Sequence, residues 1–174
     1  MKTIVCSARL SLLLLPFLLP AALAAQTPSN QTCKTNTVPG TWCWNIESNR
    51  LCNIEICDFW WEWDTDIARY LTPLNGAKAA VVMDQDFETI DAKYVERMEL
   101  SGEKIAGEDL KPGAVVVFRT NKGKPGKLQV LGYKDSRDLS FPEAACLSEG
   151  WKQFSLNRPE IPDYHLRVKW TLLE

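Results

Sequence analysis

The sequence predicts one α+β domain, in which two helices pack on a C-terminal antiparallel β-sheet and a disulfide-stapled N-terminal region precedes them. Three observations predict this class. Two segments in the first half of the chain repeat apolar residues at helical spacing, and the last third alternates apolar and polar residues with a period of two. In addition, four cysteines lie within 25 residues of one another.

The first 25 residues have the composition of a secretory signal peptide. Two basic residues precede an apolar run that ends in small residues at Ala24 and Ala25. The run is shorter than the roughly 20 residues that a membrane-spanning helix needs, and two prolines interrupt it. We therefore expect residues 1–25 to be removed, and the mature protein to be secreted, or periplasmic in a bacterial host, with no membrane span.

The mature chain is expected to start with a flexible polar leader, residues 26–38, followed by a single globular domain, residues 39–174. The leader is rich in Thr, Asn and Pro and contains an N-glycosylation sequon at Asn30. Without residues 1–25 the chain has 18 basic and 22 acidic residues. This acidic balance argues against nucleic acid as the main partner.

Five cysteines remain after removal of the signal peptide: Cys33, Cys43, Cys52, Cys57 and Cys146. Disulfides are the expected state in an oxidising compartment. A zinc site is disfavoured because the chain has no CxxC pair and only one histidine. The odd count leaves one thiol unpaired, and the pairing of the others stays open.

The first predicted helix runs from Asp58, a candidate N-cap, to Leu71, and Thr72-Pro73 ends it. Six large apolar residues fall on one side of this helix and would face the core: Phe59, Trp60, Trp63, Ile67, Tyr70 and Leu71. Trp61 falls on the opposite side. Since core packing does not explain Trp61, we expect it to be an exposed contact for a ligand.

A short buried strand is predicted from Ala77 to Met83, followed by a second helix. Asp86 is the candidate N-cap of that helix, and Ser101-Gly102 ends it. Its apolar residues keep the spacing of one helical face: Phe87, Ile90, Tyr94 and Met98.

The C-terminal sheet is predicted from two strands, Ala114–Thr120 and Lys127–Tyr133, joined by the hairpin loop 121–126. A third strand closes the chain, with Leu166, Val168, Trp170 and Leu172 on its buried face. The long connection 134–164 contains Cys146 and Trp151. A loop of that length usually has a role or hides a further element.

Basic side chains are concentrated on this predicted sheet. Those proposed to bind a ligand, together with Trp61, are Arg119, Lys124, Lys127, Arg167 and Lys169. They form either a strip that binds an anionic ligand or an ordinary solvated face, because lysines on sheets also protect against edge-to-edge pairing.

Catalysis is less favoured than binding. His165 is the only histidine, and motifs for nucleotide chemistry or zinc proteolysis are absent from the sequence. Glu62, with Asp64 or Asp66, lies among tryptophans, as the paired acids of glycosidases do. On the predicted helix these carboxylates are solvated, whereas a general acid needs a raised pKa. We therefore assign no catalytic residue, cofactor or metal.

The sequence thus favours a secreted, non-catalytic binding domain for an extracellular glycan or protein. A small carbohydrate-active hydrolase that uses Glu62 is the first alternative. The second is a secreted inhibitor or effector that acts through the cysteine-rich segment or through residues 134–164.

Overall fold

The computed structural model describes residues 33–63, 68–136 and 161–174. In these ranges the chain is mostly β and forms two antiparallel sheets of five strands each. The α+β prediction, with two helices on one sheet, is therefore wrong. Residues 1–32, 64–67 and 137–160 lie outside the described residues, and with them the predicted signal peptide, Asn30, Asp64, Asp66, Cys146 and Trp151.

The first sheet combines the N-terminal strand with the C-terminal half of the chain. Its strands are β1 (Lys34–Val38), β6 (Lys78–Val82), β8 (Val115–Arg119), β9 (Pro125–Lys134) and β10 (His165–Leu172). Their order across the sheet is β1-β10-β9-β8-β6. The three strands predicted at 77–83, 114–120 and 127–133 are confirmed within a few residues, as is the closing strand.

The second sheet is built from the region that was expected to hold disulfides and the first helix. Its strands are β2 (Cys43–Asn45), β3 (Arg50–Cys52), β4 (Phe59–Trp63), β5 (Arg69–Pro73) and β7 (Ile105–Ala106). Their order is β3-β2-β4-β5-β7. Every neighbouring pair is antiparallel.

The helix predicted over 58–71 is wrong, because its residues form β4 and β5. Phe59 and Trp61 are fully buried in the core, while Trp60, between them, lies on the other face and is half-buried. A run of aromatic residues satisfies helical and strand spacing at once, and aromatic residues favour strands. The strand is selected because β4 pairs with β2 on one side and with β5 on the other.

Only part of the second predicted helix is helical in the structure. Asp86 caps a short 3-10 turn, Phe87–Thr89, by accepting a hydrogen bond from the Glu88 N–H at 3.0 Å. The backbone is extended at Ile90, so the helix α1 (Ala92–Arg97) starts from a new cap, Asp91. Turn and helix cover part of the outer face of the first sheet through an apolar cluster: Val82, Phe87, Ile90, Val95, Val115, Val117 and Leu173.

The main core lies between the inner faces of the two sheets. Edge-to-face ring pairs connect them: Trp44 with Trp170 at 5.5 Å between centroids, and Phe59 with Phe118 at 5.4 Å. Such pairs contribute about 0.5–1.5 kcal/mol beyond the area they bury. The tryptophans of both sheets therefore stabilise the packing of one sheet on the other.

The C-terminal part of the predicted polar leader is a strand instead. Residues 34–38 form β1, which pairs along its length with β10 from Lys34↔Trp170 to Val38↔Leu166. Pairing satisfies the backbone of this polar segment and buries Val38. In the described ranges no helix is long and apolar enough to cross a membrane.

Candidate functional site

Trp61, the residue predicted to be an exposed contact, lies in the core. Its side chain is 0% exposed, and its indole N–H donates to the Tyr164 carbonyl oxygen at 3.0 Å. Its ring also stacks on Tyr133 at 6.0 Å. The expectation of exposure depended on the helix over 58–71 and is corrected with it, because a strand turns alternate side chains to opposite faces.

The five basic residues proposed as a strip differ in their surroundings. Arg119, Lys127 and Lys169 belong to adjacent strands β8, β9 and β10 of the first sheet, and Arg167 is exposed further along β10. Lys124 lies in the loop before β9, where it forms an ion pair with Glu47 at 3.1 Å. Lys169 is paired with Glu88 at 2.9 Å. Neighbouring carboxylates thus neutralise part of the predicted positive surface.

Lys127 is a structural residue in this arrangement. It is only 5% exposed, and its ammonium donates to the Ile90 carbonyl oxygen at 2.7 Å above the ring of Phe87. Burial lowers the pKa of this lysine, against the opposing effect of nearby Glu88. A substitution at Lys127 will therefore alter folding as well as charge, which makes this residue a poor probe for an anionic ligand.

Glu62, the residue of the hydrolase alternative, is buried on the outer face of the second sheet. One carboxylate oxygen accepts a hydrogen bond from Lys104 at 2.7 Å and the other from Thr72 at 2.8 Å. A carboxyl group held by a lysine and a threonine side chain suits a structural role. Asp64 and Asp66, its proposed partners, lie outside the described residues.

His165 is the first residue of β10 and is fully buried. Its Nδ1 accepts a hydrogen bond from the Gly40 N–H at 3.2 Å, and its ring lies against Tyr164. The histidine thereby connects the chain before β2 to the last strand. The described ranges contain no group of three or more His, Cys, Asp or Glu side chains that could hold a metal ion.

A different feature stands out on the surface: the loop between β3 and β4, closed by the disulfide Cys52–Cys57. Residues 53–56 form its tip, where the Ile56 N–H donates to the Asn53 carbonyl oxygen at 3.1 Å. Ile54 is 47% exposed and Ile56 is 61% exposed. We call residues 52–57 the disulfide loop.

Asparagine side chains from the end of β2 and from two other loops hold the backbone of the disulfide loop. Asn75 donates to the carbonyl oxygens of Ile54 and Cys57, both at 2.8 Å. Asn45 and Asn121 each donate to the Ile56 carbonyl oxygen at 3.2 Å. The disulfide loop is thus fixed by a covalent bond and by four side-chain hydrogen bonds.

Asp58 anchors the base of the same loop. It is completely buried, and its two carboxylate oxygens accept hydrogen bonds from the backbone N–H groups of Ile46 and Asn121, each at 2.8 Å. Burial raises the pKa of this carboxyl, although the two N–H donors act in the opposite direction. Asp58 therefore joins the β2–β3 turn, the disulfide loop and the β8–β9 turn.

Sequence reasoning missed this site for an identifiable reason. The sequence CNIEIC shows two cysteines around alternating isoleucines, but the odd cysteine count left the pairing open. A bond between Cys52 and Cys57, five positions apart in the sequence, would place both isoleucines in a tight loop with little of the core within reach. The asparagines come from distant positions in the sequence, and no local pattern connects them.

Family models, curated proteins and solved structures offer no match to this chain.

Proposed function

We propose that this chain is a non-catalytic binding domain that recognises a protein, and that the disulfide loop is its contact surface. One observation carries the proposal: two exposed isoleucines sit on a loop that a disulfide and three asparagine side chains hold in one conformation. The signal-peptide pattern and the disulfide support a place of action outside the cytosol.

Rigidity is what separates this loop from an ordinary exposed turn. A single exposed apolar side chain is common on protein surfaces and needs no explanation. Two on one small loop, held by side chains from β2 and from two other loops, form a surface that is already ordered before a partner binds. Because ordering a flexible loop on binding weakens affinity, a preorganised loop binds more tightly for the same contact area.

The chemistry of the loop indicates the kind of partner. Ile54 and Ile56 are aliphatic and suit an apolar pocket or groove on another protein. Glu55, exposed between them, favours a basic group at the rim of that pocket. A glycan would instead be recognised by an exposed aromatic ring, and residues 53–56 contain none.

A secreted inhibitor or effector is the second candidate function, and the same loop supports it. An inhibitor of an extracellular enzyme is a binding domain whose rigid loop occupies a concave site. The two functions differ only in what the partner does, so the activity of an identified partner decides between them.

The experiment compares the wild-type protein with Ile54→Asp/Ile56→Asp and with Met83→Asp as baits for the extracellular proteins of its source. Met83 is the matched control, because it is an exposed apolar residue in a different part of the chain, 77% exposed. We expect a partner that the wild type and Met83→Asp capture and that the loop variant loses. With that partner purified, the loop variant should bind at least about tenfold more weakly, since each buried anchor contributes more than about 1 kcal/mol.

Equal binding of a purified partner by the wild type and the loop variant would overturn the proposal. So would a partner that the folded loop variant and the folded control lose alike, since the contact would then not be specific to the disulfide loop. Circular dichroism and thermal unfolding of all three proteins check that the comparison is between folded chains.

A further inference from the structure

Two cysteines face each other on neighbouring strands of the second sheet, and one of them is bonded to a third in the loop between β3 and β4. Cys52, at the end of β3, forms the disulfide with Cys57, with 5.8 Å between their Cα atoms. Cys43, at the start of β2, is the direct cross-strand partner of Cys52. Cys43 carries a free, buried thiol.

Cross-strand pairing brings the Cys43 thiol to the disulfide. Directly opposed residues of an antiparallel pair project from the same face, with Cβ atoms about 4.5–5.5 Å apart. Their Cα atoms are about 4.5 or 5.5 Å apart, and the Cα atoms of disulfides are usually 4.4–6.8 Å apart. Cys52 therefore has two possible disulfide partners, Cys57 within the loop and Cys43 across the strands.

We propose that Cys43 and Cys57 exchange as partners of Cys52, so that the protein has two alternative disulfides. The Cys43 thiolate attacks the Cys52 Sγ, the Cys43–Cys52 bond forms, and the Cys52–Cys57 bond breaks. Cys57 leaves as a thiolate and takes up the proton that Cys43 released. One disulfide and one thiol are present before and after the step, so no oxidant or reductant is consumed.

The exchange would convert the disulfide loop from a closed to an open form. In the Cys43–Cys52 form the covalent bond joins β2 to β3, and residues 53–56 are held by hydrogen bonds alone. Burial raises the pKa of the Cys43 thiol to about 11, which keeps the attacking thiolate scarce and the exchange slow. We expect the opening of the loop to weaken ligand binding, and this consequence rests on the proposed function. The exchange itself does not depend on that function.

Tryptic mapping distinguishes the two disulfides without reference to any ligand. Cleavage after Lys34, Arg50 and Arg69 places Cys43 in peptide 35–50, and both Cys52 and Cys57 in peptide 51–69. The Cys52–Cys57 form therefore gives two separate peptides, whereas the exchanged form joins them. Thiols are blocked with iodoacetamide before digestion, and fragmentation identifies the alkylated cysteine.

In the oxidised wild type, native incubation with iodoacetamide should slowly accumulate joined peptides 35–50 and 51–69 with Cys57 alkylated. The variant Cys57→Ser, oxidised with glutathione disulfide, should contain the Cys43–Cys52 bond as its main product. Cys43→Ser is the matched control and should keep the Cys52–Cys57 bond without any joined peptide.

The proposal is overturned if the wild type gives only the intact Cys52–Cys57 peptide with Cys43 alkylated. A peptide that joins Cys43 to Cys146 would overturn it as well, because Cys43 would then be committed elsewhere. Should Cys57→Ser fail to fold, the wild-type trapping experiment still decides. Joined peptides with unchanged partner binding would confirm the exchange while removing its link to the proposed function.

Discussion

Trp61→Ala is expected to lower the free energy of unfolding by about 3–5 kcal/mol, the cost of removing a fully buried tryptophan from a core. The side chain is 0% exposed and lies between the two sheets. Its removal leaves a cavity beside Tyr133 and leaves the Tyr164 carbonyl oxygen without its indole donor. Denaturation in urea, followed by tryptophan fluorescence or circular dichroism, measures the change.

Two further variants separate the parts of this effect. Trp61→Phe keeps an aromatic ring in the core but removes the indole donor, so we expect a smaller loss of about 1–2 kcal/mol. Met83→Ala, at an exposed position, should change stability by no more than about 0.5 kcal/mol. If Trp61→Ala lost ligand binding at full stability, the tryptophan would be a contact residue and its burial in the core would be wrong.

The contrast between the two halves of the chain shows what local pattern can predict. The strands of the C-terminal half were predicted correctly because β-branched residues and glycine-containing turns allow one interpretation only. In β10, alternate residues such as Leu166 and Val168 are buried while Arg167 between them is exposed, as period two requires. Local sequence was sufficient there.

Residues 59–71 show the limit of the same reasoning. Phe59, Trp60 and Trp63 fall on one side of a helix, but Phe59 and Trp61 also share one face of a strand. A segment this rich in large apolar residues fits both the helical and the strand spacing, and its pairing with β2 selects the strand. The helix prediction then misplaced Trp61, and with it the candidate site.

The disulfide loop could not be predicted because its determinants are spread over the sequence. Cys52 and Cys57 are local, yet the hydrogen bonds that fix the loop come from Asn45, Asn75 and Asn121. Their convergence depends on strand order across the second sheet and on contact with the β8–β9 turn. A site of this kind becomes visible only once the topology is known.

Asp58→Ala is expected to have the second-largest effect on stability, a loss of about 2–5 kcal/mol, because each buried N–H left unsatisfied costs about 1–3 kcal/mol. It removes the acceptor of both the Ile46 and the Asn121 N–H groups. Asp58→Asn keeps one acceptor oxygen and should lose roughly half as much. Glu99→Ala, at an exposed carboxyl, is the matched control and should be close to wild type.

The pH dependence of this effect has a definite sign. Because burial raises the pKa of Asp58 in the folded state, the folded protein holds this proton more tightly than the unfolded chain does. The resulting stabilisation is complete below the unfolded pKa of about 3.9 and is lost as the pH rises through the higher folded value. Since Asp58→Asn does not titrate, its stability deficit relative to the wild type should be larger at pH 3 than at pH 7.

A deficit that grows towards neutral pH would contradict the raised pKa and show that the two N–H donors outweigh burial. Hydrogen exchange adds a second measurement, because Asp58 joins the base of the disulfide loop to two turns. In Asp58→Ala the amides of Ile46, Ile56 and Asn121 should exchange faster than in the wild type, while those of the first sheet's central strands β9 and β10 change less. Loss of the Asp58 carboxyl should therefore loosen the disulfide loop before the domain unfolds. This is the result expected if Asp58 contributes to the rigidity on which binding depends.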